Sequence, residues 1–142
     1  METYIQKYDN IIPASLCNSL IKKFEDNKDW FSDAETIANS LYGCVEQYKK
    51  DCNIIGNMWP NKYSLEPLRM KRYLPDGTDQ FGNHVDVNSH ESARRFLVFF
   101  LCLDDNEKGS TSFPQHDISS ECKKGSCLIF PPMWPWLHAG EK

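Results

Sequence analysis

The strongest constraint on the fold is a change of hydrophobic period partway along the chain. Up to about residue 62 the apolar residues recur at helical steps, whereas from Leu68 they fall in short aromatic and aliphatic runs cut by Pro, Gly, Asp, Asn and Ser. Between Ala14 and Phe24, Leu16, Leu20, Ile21 and Phe24 share one helical face, and Pro13 suits a position at or just before the first turn. A second, longer helix is expected from Asp33 to about Ile55. Ile37, Leu41, Val45, Tyr48, Cys52 and Ile55 form its stripe, Asp33 is its candidate cap, and Trp59-Pro60 ends the pattern no later than Asn57 to Asn61.

The second half reads as β structure. Leu68 to Tyr73 alternates Leu68, Met70 and Arg72 against Arg69, Lys71 and Tyr73, and Pro75-Asp76-Gly77 supplies turn chemistry. Phe96 to Leu103 is a continuous apolar run, as expected of a strand buried on both faces, and it stops at Asp104-Asp105-Asn106. Ser126 to Phe130 makes a further strand closed by Pro131-Pro132. Two helices followed by several short strands imply an α+β chain: a barrel or sandwich with both helices packed on one sheet from outside.

Size and composition fit that architecture. A chain of 142 residues with 40% hydrophobic residues and a formal charge of -4 reads as one soluble domain, with a helical lead-in over about 1–62 and a β core over about 66–142. The basic doublets Lys49-Lys50, Arg94-Arg95 and Lys123-Lys124 are short and scattered among acidic neighbours, which argues against a nucleic-acid surface. The start lacks a signal-peptide pattern and no apolar run is long enough to span a bilayer, so a cytoplasmic address without membrane attachment is the expectation. The six cysteines, Cys17, Cys44, Cys52, Cys102, Cys122 and Cys127, show no CxxC doublet and read as reduced, mostly buried small hydrophobes.

Candidate chemistry rests on His84, Asp86 and His138. Residues two apart in an extended segment point the same way, so His84 and Asp86 present an imidazole and a carboxylate to one point. With acidic residues at about one position in seven, such a dyad is common by chance. His138, following a strand, a Pro-Pro break and the aromatic turn Met133-Trp134-Pro135-Trp136, supplies a third ligand. Two histidines and one carboxylate on one face of an octahedral metal leave three positions open, the arrangement of non-haem iron(II) oxygenases. His90 and His116 lie in polar loop contexts and carry no role here. Phe113, Trp134 and Trp136 are candidates for a substrate groove, against the plainer reading of core or rim packing.

From Lys71 to Lys142 the chain resembles the catalytic core of the prolyl 4-hydroxylase-like branch of the iron(II) and 2-oxoglutarate dependent dioxygenases. The matching pieces, in order, are Arg72-Tyr73-Leu74-Pro75-Asp76-Gly77, Phe81 with His84-Val85-Asp86, and Arg95 leading Phe96 to Asp105. Gly109 to Pro114, Lys124-Gly125-Ser126 with Leu128 to Pro131, and Trp136 to Glu141 complete the series.

That resemblance implies a double-stranded β-helix, a cupin-like jelly roll, with His84, Asp86 and His138 as iron(II) ligands. It places Tyr73, and the position held by Cys102, beside the 2-oxoglutarate. It implies dioxygen as cosubstrate, ascorbate as an accessory reductant, and a hydroxylase acting on a peptidyl proline or similar side chain of a peptide or protein. Two departures stand out: Cys102 replaces a tyrosine common among relatives, and the Arg or Lys that pairs with the distal carboxylate belongs to a strand after the second histidine. Lys142 is too near His138 to take that place. The resemblance also puts that last strand between strands like Leu68–Tyr73 and Phe96–Leu103, so the chain reads as lacking it. A hydroxylase of a free amino acid or small molecule, and an inactive oxygenase-like binding module, are the alternatives.

Overall fold

Both helices form where the apolar stripe predicts, and both end on an asparagine. In the structure, a computed structural model describing residues 4–72 and 81–140, helix α1 spans Ala14–Glu25 and α2 spans Phe31–Asp51. Asn27 and Asn53 adopt left-handed backbone (φ 54° and 56°) just past the helix ends. The amides of Asn27 and Lys28 bond back to the carbonyls of Phe24 and Lys23, and those of Asn53 and Ile54 to Lys50 and Lys49. This is the Schellman closure that Asn, with its tolerance of positive φ, permits. The second helix therefore stops well before Trp59-Pro60, and Ile55, expected in its stripe, is 73% exposed. It also begins earlier than Asp33. Asp33 lies in the first turn instead of at the cap and is paired with Lys23 at 2.7 Å, which ties α2 to α1.

Among the described residues seven strands follow or precede these helices: β1 (Gln6–Tyr8), β2 (Phe81–His84), β3 (Val98–Leu101), β4 (Asn106–Phe113), β5 (Ile118–Cys122), β6 (Cys127–Phe130) and β7 (His138–Gly140). They make two antiparallel sheets, ordered β1-β6-β3 and β2-β7-β4-β5. One face of the first sheet, through Cys127, Ile129, Phe99 and Leu101, packs with Leu20, Ile37, Leu41 and Tyr48 of the helices. Its other face, through Val98, Leu128 and Phe130, meets Phe113 and Ile118 of the second sheet. Each fully buried aliphatic side chain in these layers is worth roughly 1.5–3 kcal/mol relative to exposure. The result is an α+β double-stranded β-helix with the helices outside one sheet, as expected.

Three sequence expectations change in detail. Residues 68–72 form no regular element, Leu68 and Met70 pack against the helix-side core, and among the described residues the segment joins no ladder; Tyr73 and the Pro75-Asp76-Gly77 turn lie outside the described residues. The Phe96–Leu103 run yields only the short β3, covered by helices on one face, while Phe100 on the other is 40% exposed. Strand β1 and the β4–β5 hairpin were not anticipated. A three-residue strand carries too little pattern to read, and Asn106 to Ser112 is polar and Gly-containing.

Gly125 anchors the start of β6. It sits at φ 80°, donates its amide to the Cys102 carbonyl, and accepts from the Ile11 amide at 2.8 Å. A Cβ there would lie 2.8 Å from the Ile12 carbonyl oxygen. Gly125→Ala is accordingly expected to cost about 2 kcal/mol or more, from backbone strain and the clash together. The lowering of the urea midpoint at unchanged slope measures it.

Candidate metal centre

Strand pairing, not sequence proximity, assembles the site. His84 at the end of β2 lies directly opposite His138 at the start of β7. Cross-strand partners project to the same face, and Asp86 follows two residues after His84, so all three side chains converge. The backbone holds Asp86 from behind: the Asp86 and Val87 amides donate to the Pro132 carbonyl, which directly follows β6 and Pro131. Arg95 adds a contact from its guanidinium to the Asp86 carbonyl at 3.4 Å while its Nε pairs with Glu66 at 2.7 Å.

One ligand atom from each of the three residues lies within 4.8 Å of the others. His84 Nε2 is 3.8 Å from Asp86 Oδ1, and His138 Nε2 is 3.7 Å from Asp86 Oδ2. The two imidazole rings lie 4.4 Å apart between centroids, inclined at 57°. Each histidine uses its other nitrogen on the backbone: His84 Nδ1 bonds the Gly82 carbonyl at 2.8 Å and His138 Nδ1 the Trp136 carbonyl at 3.0 Å. A carbonyl accepts only from N–H, so both rings carry their proton on Nδ1 and turn an Nε2 lone pair inward.

Two of the inward atoms, Asp86 Oδ2 and His138 Nε2, are buried with no hydrogen-bond partner. Leaving such groups unsatisfied costs about 1–3 kcal/mol each, a penalty that a divalent metal at the centre would remove. The donor set, two imidazole nitrogens and a carboxylate on one side, fits iron(II) with positions left for other ligands. Among the described residues this is the one group of three ligating side chains so arranged.

His138 is 1% exposed and walled by Phe130 at 4.6 Å, Phe113 at 5.9 Å and Phe100 at 6.2 Å between ring centroids. That desolvation pushes its pKa below the ordinary 6.5, outweighing the Trp136 carbonyl and the Asp86 charge, which act upward. The imidazole is thus kept neutral and able to bind metal.

Of the aromatic candidates, Phe113 is wholly buried core and Trp136 packs beside it and against Tyr4; only Trp134 stands in solvent, 75% exposed on the turn leading to His138. Phe100, unmarked in the sequence reading, reaches the site instead. Cys102 lies just beyond β3, its amide donating to the Ser126 carbonyl and its carbonyl accepting from the Gly125 amide. His116, given no role above, bonds the Pro135 carbonyl at 2.6 Å and so braces the Trp134–Trp136 turn. Lys7 carries no mark in the sequence reading. Its register partner is Leu128, itself opposite Phe100, which puts Lys7 on the inter-sheet face of the first sheet. Polar residues on so short a strand offer no periodicity from which this could be read. No helix among the described residues is long and apolar enough to cross a membrane.

No family model matches the sequence, and no curated protein sequence matches it. Solved structures do match the fold. A viral collagen prolyl hydroxylase from Paramecium bursaria Chlorella virus-1, in a truncated form, aligns with a TM-score of 0.66 at 19% identity over 96% of this chain and 80% of its own. The same enzyme in complex with 2-oxoglutarate aligns with a TM-score of 0.66 over 99% of this chain and 88% of its own. A prolyl-4-hydroxylase from Pseudomonas putida aligns at 0.55 with 13% identity, covering 99% and 85%.

Two outcomes follow from the geometry. Asp86→Ala or His138→Ala is expected to weaken cobalt(II) binding, read by anaerobic calorimetry, by at least about a hundredfold, since even outer-shell changes cost 10–100-fold. Because the folded pKa of His138 is lowered, the metal-free protein holds its full stability above pH 6.5 and loses it as pH falls through that value. Urea midpoints on either side of pH 6.5 measure this, and His138→Gln removes that component of the slope.

Proposed function

We propose that this chain is an iron(II) and 2-oxoglutarate dependent dioxygenase domain that hydroxylates an unactivated C–H bond. The observation that carries the reading is the convergence of His84, Asp86 and His138 with two buried, unpartnered ligand atoms. Its setting in a β-helix fold shared with prolyl hydroxylases, one of them bound to 2-oxoglutarate, supports the cosubstrate. A peptidyl proline or similar side chain is the substrate we favour. The neighbours act on prolyl residues, and the exposed rings of Trp134 and Phe100 offer apolar faces of the kind that pack on a pyrrolidine ring.

Bound iron(II) with 2-oxoglutarate and dioxygen supplies the oxidising power, with succinate as coproduct. The chain supplies the rest. The Nδ1–H bonds to Gly82 and Trp136 hold both imidazoles in the metal-binding tautomer. Phe113 and Phe130 keep water from the inner side of His138. Lys7 is the one charged side chain on the inter-sheet face of β1, β6 and β3, and its charge acts on the Cys102 thiol. We assign Lys7 the distal carboxylate of 2-oxoglutarate, with Cys102 alongside. Its present partner, Asp9, is distant at 3.9 Å and leaves the ammonium free to pair with an incoming carboxylate.

Anaerobic addition of 2-oxoglutarate to the iron(II) protein should produce the visible metal-to-ligand charge-transfer band, and admission of air with a proline-rich peptide should release succinate. Metal retained with no band would point to a cupin-like zinc or nickel protein; a band with no succinate would point to an inactive binding module. Lys7→Gln is expected to raise the Kd for 2-oxoglutarate by about tenfold or more with iron affinity unchanged, the loss of one charge-assisted bond.

A further inference from the structure

The β4–β5 hairpin reaches His138 by two routes. Phe113, the last residue of β4, is fully buried with its ring 5.9 Å from the His138 imidazole between centroids. The turn that follows, residues 114–117, is closed by the His116 amide on the Phe113 carbonyl at 3.0 Å, and from there the His116 ring reaches across to Pro135. Its Nε2 lies 2.6 Å from the Pro135 carbonyl oxygen. A carbonyl accepts only from N–H, so this nitrogen carries a proton and donates it. Pro135 is the middle residue of the short turn Trp134–Trp136, and His138 stands two residues beyond that turn at the start of β7.

Consecutive carbonyls of the turn each hold an imidazole. That of Pro135 takes His116, and that of Trp136 takes His138 Nδ1 at 3.0 Å. Because the peptide unit is planar, a donor that fixes the Pro135 carbonyl also fixes the Trp136 amide in the same plane, and this amide donates to the Met133 carbonyl at 2.9 Å. With the plane set, only the two backbone rotations of Trp136 remain to move its carbonyl. That carbonyl in turn selects the His138 tautomer and aims its Nε2. Proline has no N–H, so the middle of the turn can add no amide of its own to the hold. We infer that His116 is a positioning residue of the metal centre: through the Pro135 carbonyl it fixes the turn that directs His138 Nε2 toward Asp86 and His84.

The inference rests on the metal reading of His84, Asp86 and His138 and adds to it a histidine outside the ligand set. A bond that served stability alone would leave metal geometry untouched. The Lys23–Asp33 pair at 2.7 Å is such a bond, since it ties α1 to α2 and belongs to neither the hairpin nor the turn. The His116 bond differs because its acceptor is one peptide unit from the carbonyl that orients a ligand. A neutral hydrogen bond is worth roughly two- to tenfold in an equilibrium constant, and that is the scale on which metal affinity should respond to its loss.

Cobalt(II) is the probe, read on the full chain by anaerobic calorimetry and by its visible ligand-field bands. His116→Phe keeps a ring without a donor, whereas His116→Gln keeps a donor at the reach of Nε2 without a ring. His116→Phe is expected to raise the Kd for cobalt(II) by about five- to tenfold and to shift the bands, while His116→Gln stays within about twofold of wild type and restores its spectrum. Lys23→Gln should lower the urea midpoint and leave both cobalt(II) readouts as in wild type. Near-UV circular dichroism checks that each variant is folded; His116→Asn, whose amide is too short to reach Pro135, takes the place of His116→Phe if that variant is not. Unchanged affinity and bands without the donor, a loss in His116→Gln as large as in His116→Phe, or an equal loss in Lys23→Gln would overturn the proposal and leave the metal reading standing. A wild-type chain that binds no cobalt(II) would overturn both.

Discussion

The pairing of β2 with β7 is the constraint on which the site depends. His84 and His138 are distant along the chain and become neighbours only because an irregularity between Phe81 and His84 brings the β2–β7 ladder into the register that sets them opposite each other. A slip of one residue would turn one imidazole to the opposite face and dissolve the cluster. That register is held from both sides. β7 is clamped against β4 through Thr111 and Ser112, while the segment after β2 is pinned by the Asp86 and Val87 amides on the Pro132 carbonyl. Pro132 is fully buried and follows β6, whose four residues are all buried, so the rigid centre of the first sheet fixes the ligand loop of the second.

Much of this was legible in the sequence because hydrophobic period reports burial. The stripe of α1, the inner face of α2 and the apolar β6 all follow from it. The same signal explains what was misread. Alternation at Leu68 to Met70 does mark which side chains turn to the core, but alternation describes orientation and not hydrogen bonding, so it could not say whether a ladder forms there. Helix ends depend on backbone conformation at single residues. Asn53 held the relevant information, overlooked because Trp59-Pro60 is the louder punctuation.

The site residues divide along similar lines. His84 and Asp86 are readable as a pair because their relationship is local. His138 is readable only through the order of the segments around it. Lys7, Phe100 and the bond from His116 to Pro135 are matters of tertiary placement: a lysine on a three-residue strand, a phenylalanine inside an apolar run and a histidine in a hairpin loop look unremarkable one by one.

The aromatic wall around His138 and the unsatisfied ligand atoms are two sides of one balance. Phe113, Phe130 and Phe100 exclude water from the imidazole, which keeps it neutral but also denies its Nε2, and Asp86 Oδ2, the solvent partners that would otherwise satisfy them. A core tuned only for stability would not retain two such atoms side by side, since an apolar replacement of similar shape removes the penalty. Trp59 Nε1 and Ser120 Oγ are also buried without a partner, but only here do two such atoms, an imidazole nitrogen and a carboxylate oxygen, lie 3.7 Å apart, and a local conflict of that chemistry is the physical mark of a site shaped for a ligand. The ligand that resolves it must be cationic, small and able to accept two imidazoles and a carboxylate at once, so metal affinity and the stability of the β2–β7 pair are linked in this fold.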